Sequence, residues 1–187
     1  MDKTRAEAAV RELLLALDVD VQLQDFQGTP RRVAELFIEQ CSEKDAEIDV
    51  VFSEVQFGGM VIVKNIPFVS VCAHHLVFFT GTACVGYIPK KQKLGISKLA
   101  RLVYSCCVGL TTQETITASI ANRLFGSDEI GSLGCMVVLE GEHGCMNLRG
   151  ARAIGSTTIT SEVRGVYRDV PAARQEFLSL ISRKKDC

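Results

Sequence analysis

Met60-Val61-Ile62-Val63-Lys64-Asn65-Ile66-Pro67-Phe68-Val69-Ser70-Val71-Cys72 is the stretch that decides the fold class. It is rich in β-branched residues, which suit a pleated, half-buried surface and are crowded in a helix. Residues 76–88 have the same texture, with Thr80-Gly81 as a turn signal between two strand portions. Strand character returns at 135–139 and at 156–161. Around these strands the period changes to that of a helix. Apolar residues fall at Ala6, Val10, Leu13, Leu14 and Leu17, and Thr29-Pro30 reads as N-cap and first helical position. The helix after Pro30 is expected to bury Val33, Leu36 and Phe37 and to run to about Cys41. Ser97 is placed to cap a helix carrying Leu99, Leu102, Val103 and Cys106. Thr111 or Thr112 caps the next, with Ile116, Ile120, Ala121 and Leu124 on one face and Gly126 at its end. Pro171 opens a last helix through Phe177, Leu178 and Ile181. Helices, strands, two helices, strands and a helix in that order predict an α+β domain with mostly antiparallel pairing.

With 187 residues, 47% of them hydrophobic, the chain can bury one sizeable core. Its organisation reads as an N-terminal helical segment over residues 1–45 and a single main domain over 46–187. A formal net charge of −1 argues against a nucleic-acid binder, which carries a basic excess. The apolar runs are far too short to span a membrane, and the charged first ten residues lack a signal-peptide core, so a cytoplasmic location is expected. In a reducing compartment the eight cysteines are not a disulfide framework. Cys84, Cys106, Cys107 and Cys135 lie in apolar stretches and read as packing.

Cys72 and Cys145 differ, because all three histidines of the chain lie in the clusters Cys72-Ala73-His74-His75 and His143-Gly144-Cys145. Thiolate and imidazole are preferred zinc ligands. Cys72, His75 and Cys145 can converge on one ion and leave a fourth position for water, with His74 and His143 beside it for proton transfer. A closed, four-ligand structural site is the competing arrangement. Ser97-Lys98-Leu99-Ala100-Arg101 sets a hydroxyl and two cations in one turn at a helix start, where anions are favoured. Arg149 follows the second cluster and can fork onto a phosphate. Gln113-Glu114 opens a helix; the carboxylate either complements the helix dipole or accepts hydrogen bonds from a guanine edge.

Taken together, several motifs resemble the GTP cyclohydrolase I family. They are Cys72-x-His74-His75, Gly86-Tyr87-Ile88-Pro89, the run from Gly95 to Val103, Gln113-Glu114, and His143-x-Cys145-Met146-x-x-Arg149-Gly150. Thr29-Pro30-x-Arg32 before them, and Thr158-x-Thr160-Ser161 and Glu176-Phe177-Leu178 after them, extend the match from about residue 29 to 181. The resemblance implies a tunnelling fold (T-fold), an antiparallel sheet backed by helices and assembled into barrels. The expected assembly is a homodecamer, a dimer of pentamers, with active sites between subunits. It implies Zn2+ on Cys72, His75 and Cys145, and proton transfer by His74 and His143. Triphosphate binding falls to Ser97, Lys98, Arg101 and Arg149 with Arg32, and guanine recognition to Glu114 supported by Gln113. The implied reaction opens the guanine imidazole ring of GTP at C8, releases formate and rearranges the rest to 7,8-dihydroneopterin triphosphate.

The chain departs from the family's usual pattern at four places. Ala73 stands for a glutamate, Glu35 for a lysine and Thr115 for an arginine, and Cys106-Cys107-Val108-Gly109-Leu110-Thr111 replaces a stretch that usually contains an Ala-Arg-Arg run. The last three together remove positive charge around the site and add a negative one, while Ala73 removes a carboxylate beside the metal ligands. That leaves two further readings open: a divergent paralogue opening another guanine nucleotide or nucleoside, or a zinc-stabilised assembly protein without activity.

Overall fold

Asp2 accepts a hydrogen bond from the Arg5 amide (3.0 Å) and so caps the first helix, α1, Lys3–Ala16. The second, α2, spans Thr29–Cys41 with Pro30 in its first turn. Gly28, not Thr29, is its N-cap, because the Thr29 hydroxyl bonds back to the Asp25 carbonyl and accepts from Arg32. Among the described residues of this first unit, Val21, Pro30 and Ala34 are fully buried. The expected core positions Val33 and Phe37 are half-buried and Leu36 is exposed, so a two-helix hairpin is too small to enclose them. In the computed structural model the described residues are 1–42, 51–52, 57–90, 93–126 and 132–183. They form two compact units, 1–43 and 44–187, and the boundary expected at 45/46 lies outside the described residues.

The second unit is built on a five-stranded sheet. Its strands in chain order are β1 (Val51–Phe52), β2 (Val61–Cys72), β3 (Phe78–Pro89), β4 (Lys93–Leu94), β5 (Leu110–Thr111), β6 (Ser132–His143) and β7 (Thr158–Gly165). β1 pairs with β4, and the main sheet runs β5-β2-β3-β6-β7, antiparallel except for the parallel β2–β5 contact. The remaining helices are α3 (Ile96–Cys106), α4 (Gln113–Gly126), α5 (Gly144–Asn147), α6 (Val166–Asp169) and α7 (Pro171–Ser182). The sheet is antiparallel-dominated and backed by helices, in agreement with the α+β reading.

Strand periodicity divides the core. Cys135, Val137 and Leu139 of β6 join Leu99, Leu102, Ile116, Ile120 and Leu124 of α3 and α4 on one face. Met136 and Val138 join Tyr167 and Phe177 on the other. Pro67 is tolerated inside β2 because β5 covers only Val71 and Cys72, leaving most of that side as an open edge.

Two local expectations are corrected. Thr80-Gly81 is no turn: β3 is continuous, and Gly81 is there because a Cβ would collide with the Glu140 carbonyl of β6. The reversal sits at residues 73–77 instead. Ser97 is not a cap, since Gly95 holds that place. Thr112 does cap α4, its hydroxyl accepting from the Thr115 amide (3.3 Å).

Candidate metal centre and active site

The chain brings the two Cys/His clusters together through its sheet register. Cys72 ends β2, and its amide and carbonyl bond to Val77 O (3.0 Å) and Leu76 N (2.9 Å), closing a tight loop over His74 and His75. Leu76 takes φ +54° to complete it, and Ala73 N is anchored on Thr111 O of β5 (3.0 Å). On the neighbouring strand, Phe79 of β3 pairs with His143, the last residue of β6. The chain then turns into α5, which carries Cys145.

Cys72, His75 and Cys145 therefore converge, with their ligand atoms all within 4.8 Å of one another. Cys72 Sγ lies 3.8 Å from His75 Nδ1, close to the ~3.6 Å edge expected between sulfur and nitrogen on a tetrahedral zinc. Two thiols and an imidazole form a donor set suited to zinc. Burial, followed by the adjacent Cys72, pushes the Cys145 thiol up. A cation between the two sulfurs relieves that repulsion. His74 Nδ1 lies 4.0 Å from the same Cys72 sulfur, on an exposed side chain.

His143 stands beside the cluster. Its ring stacks on Phe79 (centroids 4.5 Å apart, 7° between planes) and its Nε2 lies 2.8 Å from Gln113 Oε1. Burial lowers its pKa, against a smaller opposing pull from Glu114. Glu114 is exposed, and a hydrogen bond from its own amide, with Thr112, holds its carboxyl below the ordinary range. His143 and His74 are close enough to lower it further.

Gln113 is completely buried, and its Nε2 is within reach of Leu139 O (3.2 Å), Thr158 O (2.9 Å) and Thr160 Oγ1 (3.1 Å). In the sequence Gln113 reads as a helix opener and, through the family resemblance, as support for guanine recognition. Its link to His143, the Phe79 stack and the Thr117–Thr160 pair had no signal there, because each depends on long-range pairing.

The anion-binding candidates come from α3, from the residues just after α5 and from the first unit. Cys107, just past the end of α3, is joined to β2 near Cys72: Ser70 Oγ donates to Cys107 O (2.7 Å). Ser97 and Lys98 are at the other end of α3, about 15 Å away along the helix. Arg101 is exposed on the same helix. Arg149 is exposed just beyond α5 and close enough to Cys145 to favour its thiolate. Arg32, in the first unit, bonds to Asp25 O (3.4 Å) and Thr29 Oγ1 (3.1 Å). Glu35 of that unit is paired with Lys3 (2.7 Å) and Arg31 (3.0 Å), and the Lys3 bond first holds its carboxyl below the usual range.

Comparison with known proteins adds a second line of observation. The family profile of GTP cyclohydrolase I matches residues 6–182. The GTP cyclohydrolase 1 of Mycobacterium ulcerans is 44% identical over 98% of this chain and 92% of its own length. That of Mycobacterium tuberculosis is 43% identical over the same shares. Among solved structures, the apo archaeosine synthase QueF-Like covers 59% of this chain and 97% of its own, at TM-score 0.48 and 16% identity. That likeness is too distant to carry more.

Proposed function

The chain belongs to the GTP cyclohydrolase I family, and from that premise we propose that it is a zinc-dependent enzyme converting GTP to 7,8-dihydroneopterin triphosphate and formate. That it is a hydrolase of this type follows from the family and its relatives. The observation that carries the finer reading is the convergence of Cys72, His75 and Cys145 beside a histidine with a fixed hydrogen-bond partner.

Cys72, His75 and Cys145 hold the zinc, which when bound supplies Lewis acidity and a water of lowered pKa. The protein's own groups do the rest. Glu114, kept ionised, accepts the two N–H groups of the guanine amidine edge and orients C8. His143 gives N7 a proton from its doubly protonated ring and is left neutral; without that proton C8 is a poor electrophile. His74, exposed beside Cys72, exchanges protons during release of formate and closure of the new ring.

The triphosphate is assigned to Ser97, Lys98, Arg101, Arg149 and Arg32. Ser97 and Lys98 stand about a helix length from the metal cluster of their own chain, which favours a site completed by a neighbouring subunit. Both sides of the sheet offer backbone for such an assembly: the outer edge of β7, and β2 beyond the two residues paired with β5. A decamer of paired pentameric T-fold barrels and a cytoplasmic location belong to the same proposal. Among the described residues no helix is long and apolar enough to cross a membrane.

The loss of a lysine at Glu35 weighs less against GTP than the sequence suggests, because Lys3 and Arg31 neutralise the carboxylate. Zinc-loaded protein incubated separately with GTP, GDP, GMP and guanosine tests the reading, followed by formate release and pterin fluorescence. GTP is expected to turn over fastest. Equal turnover of GTP and guanosine overturns the triphosphate assignment, and no turnover of any of them overturns the enzyme reading.

A further inference from the structure

We propose that Gln113 is a positioning residue whose side chain fixes His143 as the Nε2–H tautomer and leaves Nδ1 to exchange the substrate proton. The inference rests on the proton-transfer role given to His143 above, and reassigns Gln113 from guanine support.

The direction of each hydrogen bond in the network can be worked out. A backbone carbonyl only accepts, so the Thr117 hydroxyl donates to Gln113 O (2.7 Å). Its proton is then used, so in the Thr117–Thr160 contact (2.6 Å) Thr160 is the donor. The Thr160 oxygen is left to accept, and takes an N–H from Gln113 Nε2 (3.1 Å). The same nitrogen donates to Thr158 O (2.9 Å) and faces Leu139 O (3.2 Å). Turning the amide over would set its oxygen against two carbonyls in a site sealed from water, losing every one of these bonds. Oε1 therefore faces His143, and it can only accept. The proton between them belongs to His143 Nε2, and the neutral ring carries its lone pair on Nδ1.

Two neighbours keep the arrangement tight. Phe79 lies flat against the imidazole. Gly141 of β6 leaves room for the amide, since a Cβ there would stand 2.6 Å from Gln113 Oε1. Both N–H groups of the Gln113 amide are spent inside the protein, so the side chain has no donor left to offer a base.

The test is nitrogen NMR of zinc-loaded protein labelled with 15N-histidine and sedimented for magic-angle spinning. With only three histidines in the chain, a His74→Ala sample completes the assignment. Wild type is expected to show His143 protonated at Nε2 when the ring is neutral. Gln113→Met, which keeps the volume and removes the acceptor, should show a mixture of tautomers. It should lower kcat about 10–100-fold with zinc content unchanged and KM for GTP within about twofold. A wild-type Nδ1–H ring overturns the proposal. So does a Gln113→Met enzyme with raised KM, intact kcat and unchanged ring signals, the pattern of a base contact. Thr160→Val removes one acceptor of the same amide and gives a milder readout if Gln113→Met does not fold; an unshifted ring there overturns it too. The ring signals report without turnover, so an enzyme inactive on GTP that shows the Nε2–H ring sinks the proposed reaction and not the tautomer.

Discussion

Gly141→Ala gives a sharp reading of how closely the site is packed. Gly141 lies inside β6, paired with Gly81 and Thr158, and its backbone is not in the left-handed region. Adding a methyl group there is therefore free of conformational strain. By narrowing the unfolded chain it stabilises by about 0.4–1 kcal/mol where the space is open. Here the space is not open. The new Cβ stands 2.6 Å from Gln113 Oε1 and 3.4 Å from Phe68 Cζ. The phenylalanine contact is ordinary, but the amide oxygen must retreat by about 0.8 Å to reach van der Waals distance. Its bond to His143, now 2.8 Å, is lengthened past hydrogen-bonding range if the retreat is along that line.

The variant should accordingly melt within a few degrees of wild type and bind zinc in full, yet turn over GTP about 10–100-fold more slowly, as expected when the group orienting an acid–base residue is lost. Thermal melts, metal analysis and formate release measure the three quantities independently. Activity within twofold of wild type, in a folded and zinc-loaded protein, would falsify the claim that the Gln113 amide sets the His143 ring. A large loss of stability with proportionate loss of zinc would instead show that Gly141 serves packing alone.

The other expectations concern metal, base and core. Cys145→Ala leaves two ligands and should reduce bound zinc to background, whereas His143→Ala should keep zinc and lose ring opening by about 10²–10⁴-fold; metal analysis and formate release separate them. Glu114→Gln can no longer accept two N–H groups with a full charge, so KM for GTP should rise about 10–100-fold, and an unchanged KM would remove Glu114 from base recognition. Burial pushes the Cys135 and Cys107 thiols up to about 12 in the folded chain. Unfolded thiols ionise near their ordinary pKa of about 8.5 and release protons there, so stability is full below that value and falls as pH rises towards 12. Urea melts at about pH 8 and pH 10.5 should differ by roughly 2 kcal/mol per thiol, and Cys135→Ala should flatten that dependence. If the alanine variant keeps the full slope, Cys135 is not its source.

The strands and the Cys/His cluster are legible in the sequence for one reason: both are written in local pattern. β-branched runs located β2, β3 and β7, and the spacing Cys72-x-x-His75 puts two donors on one tight turn. The misreadings came where a residue answers to something distant. Gly81 has the composition of a turn, yet its missing side chain serves the carbonyl of Glu140 on the next strand. Thr29 has the chemistry of a cap, but its hydroxyl turns back to Asp25. Gln113 opens a helix, as its position suggests. That its amide is spent on β6, β7 and His143 depends on a register that only the folded sheet defines.

The same distinction governs the departures from the family pattern. Counted along the sequence, Glu35 is a charge reversal that repels a triphosphate. In the fold it is held by Lys3, thirty-two residues away, and by Arg31 on the preceding helical turn. A carboxylate with two cations at 2.7 and 3.0 Å presents little negative field beyond the Debye length. Thr115, where the family resemblance leads one to expect an arginine, is tied into the cap of α4, with its hydroxyl 3.1 Å from that of Thr112. That cap holds the first turn from which Glu114 projects, and Thr112 also helps keep the Glu114 carboxyl ionised. The position therefore supports the turn that carries Glu114, the residue proposed to read the base. Ala73 has no such partner beyond its backbone bond to Thr111. It is therefore the departure whose reversal to glutamate bears most directly on the metal centre.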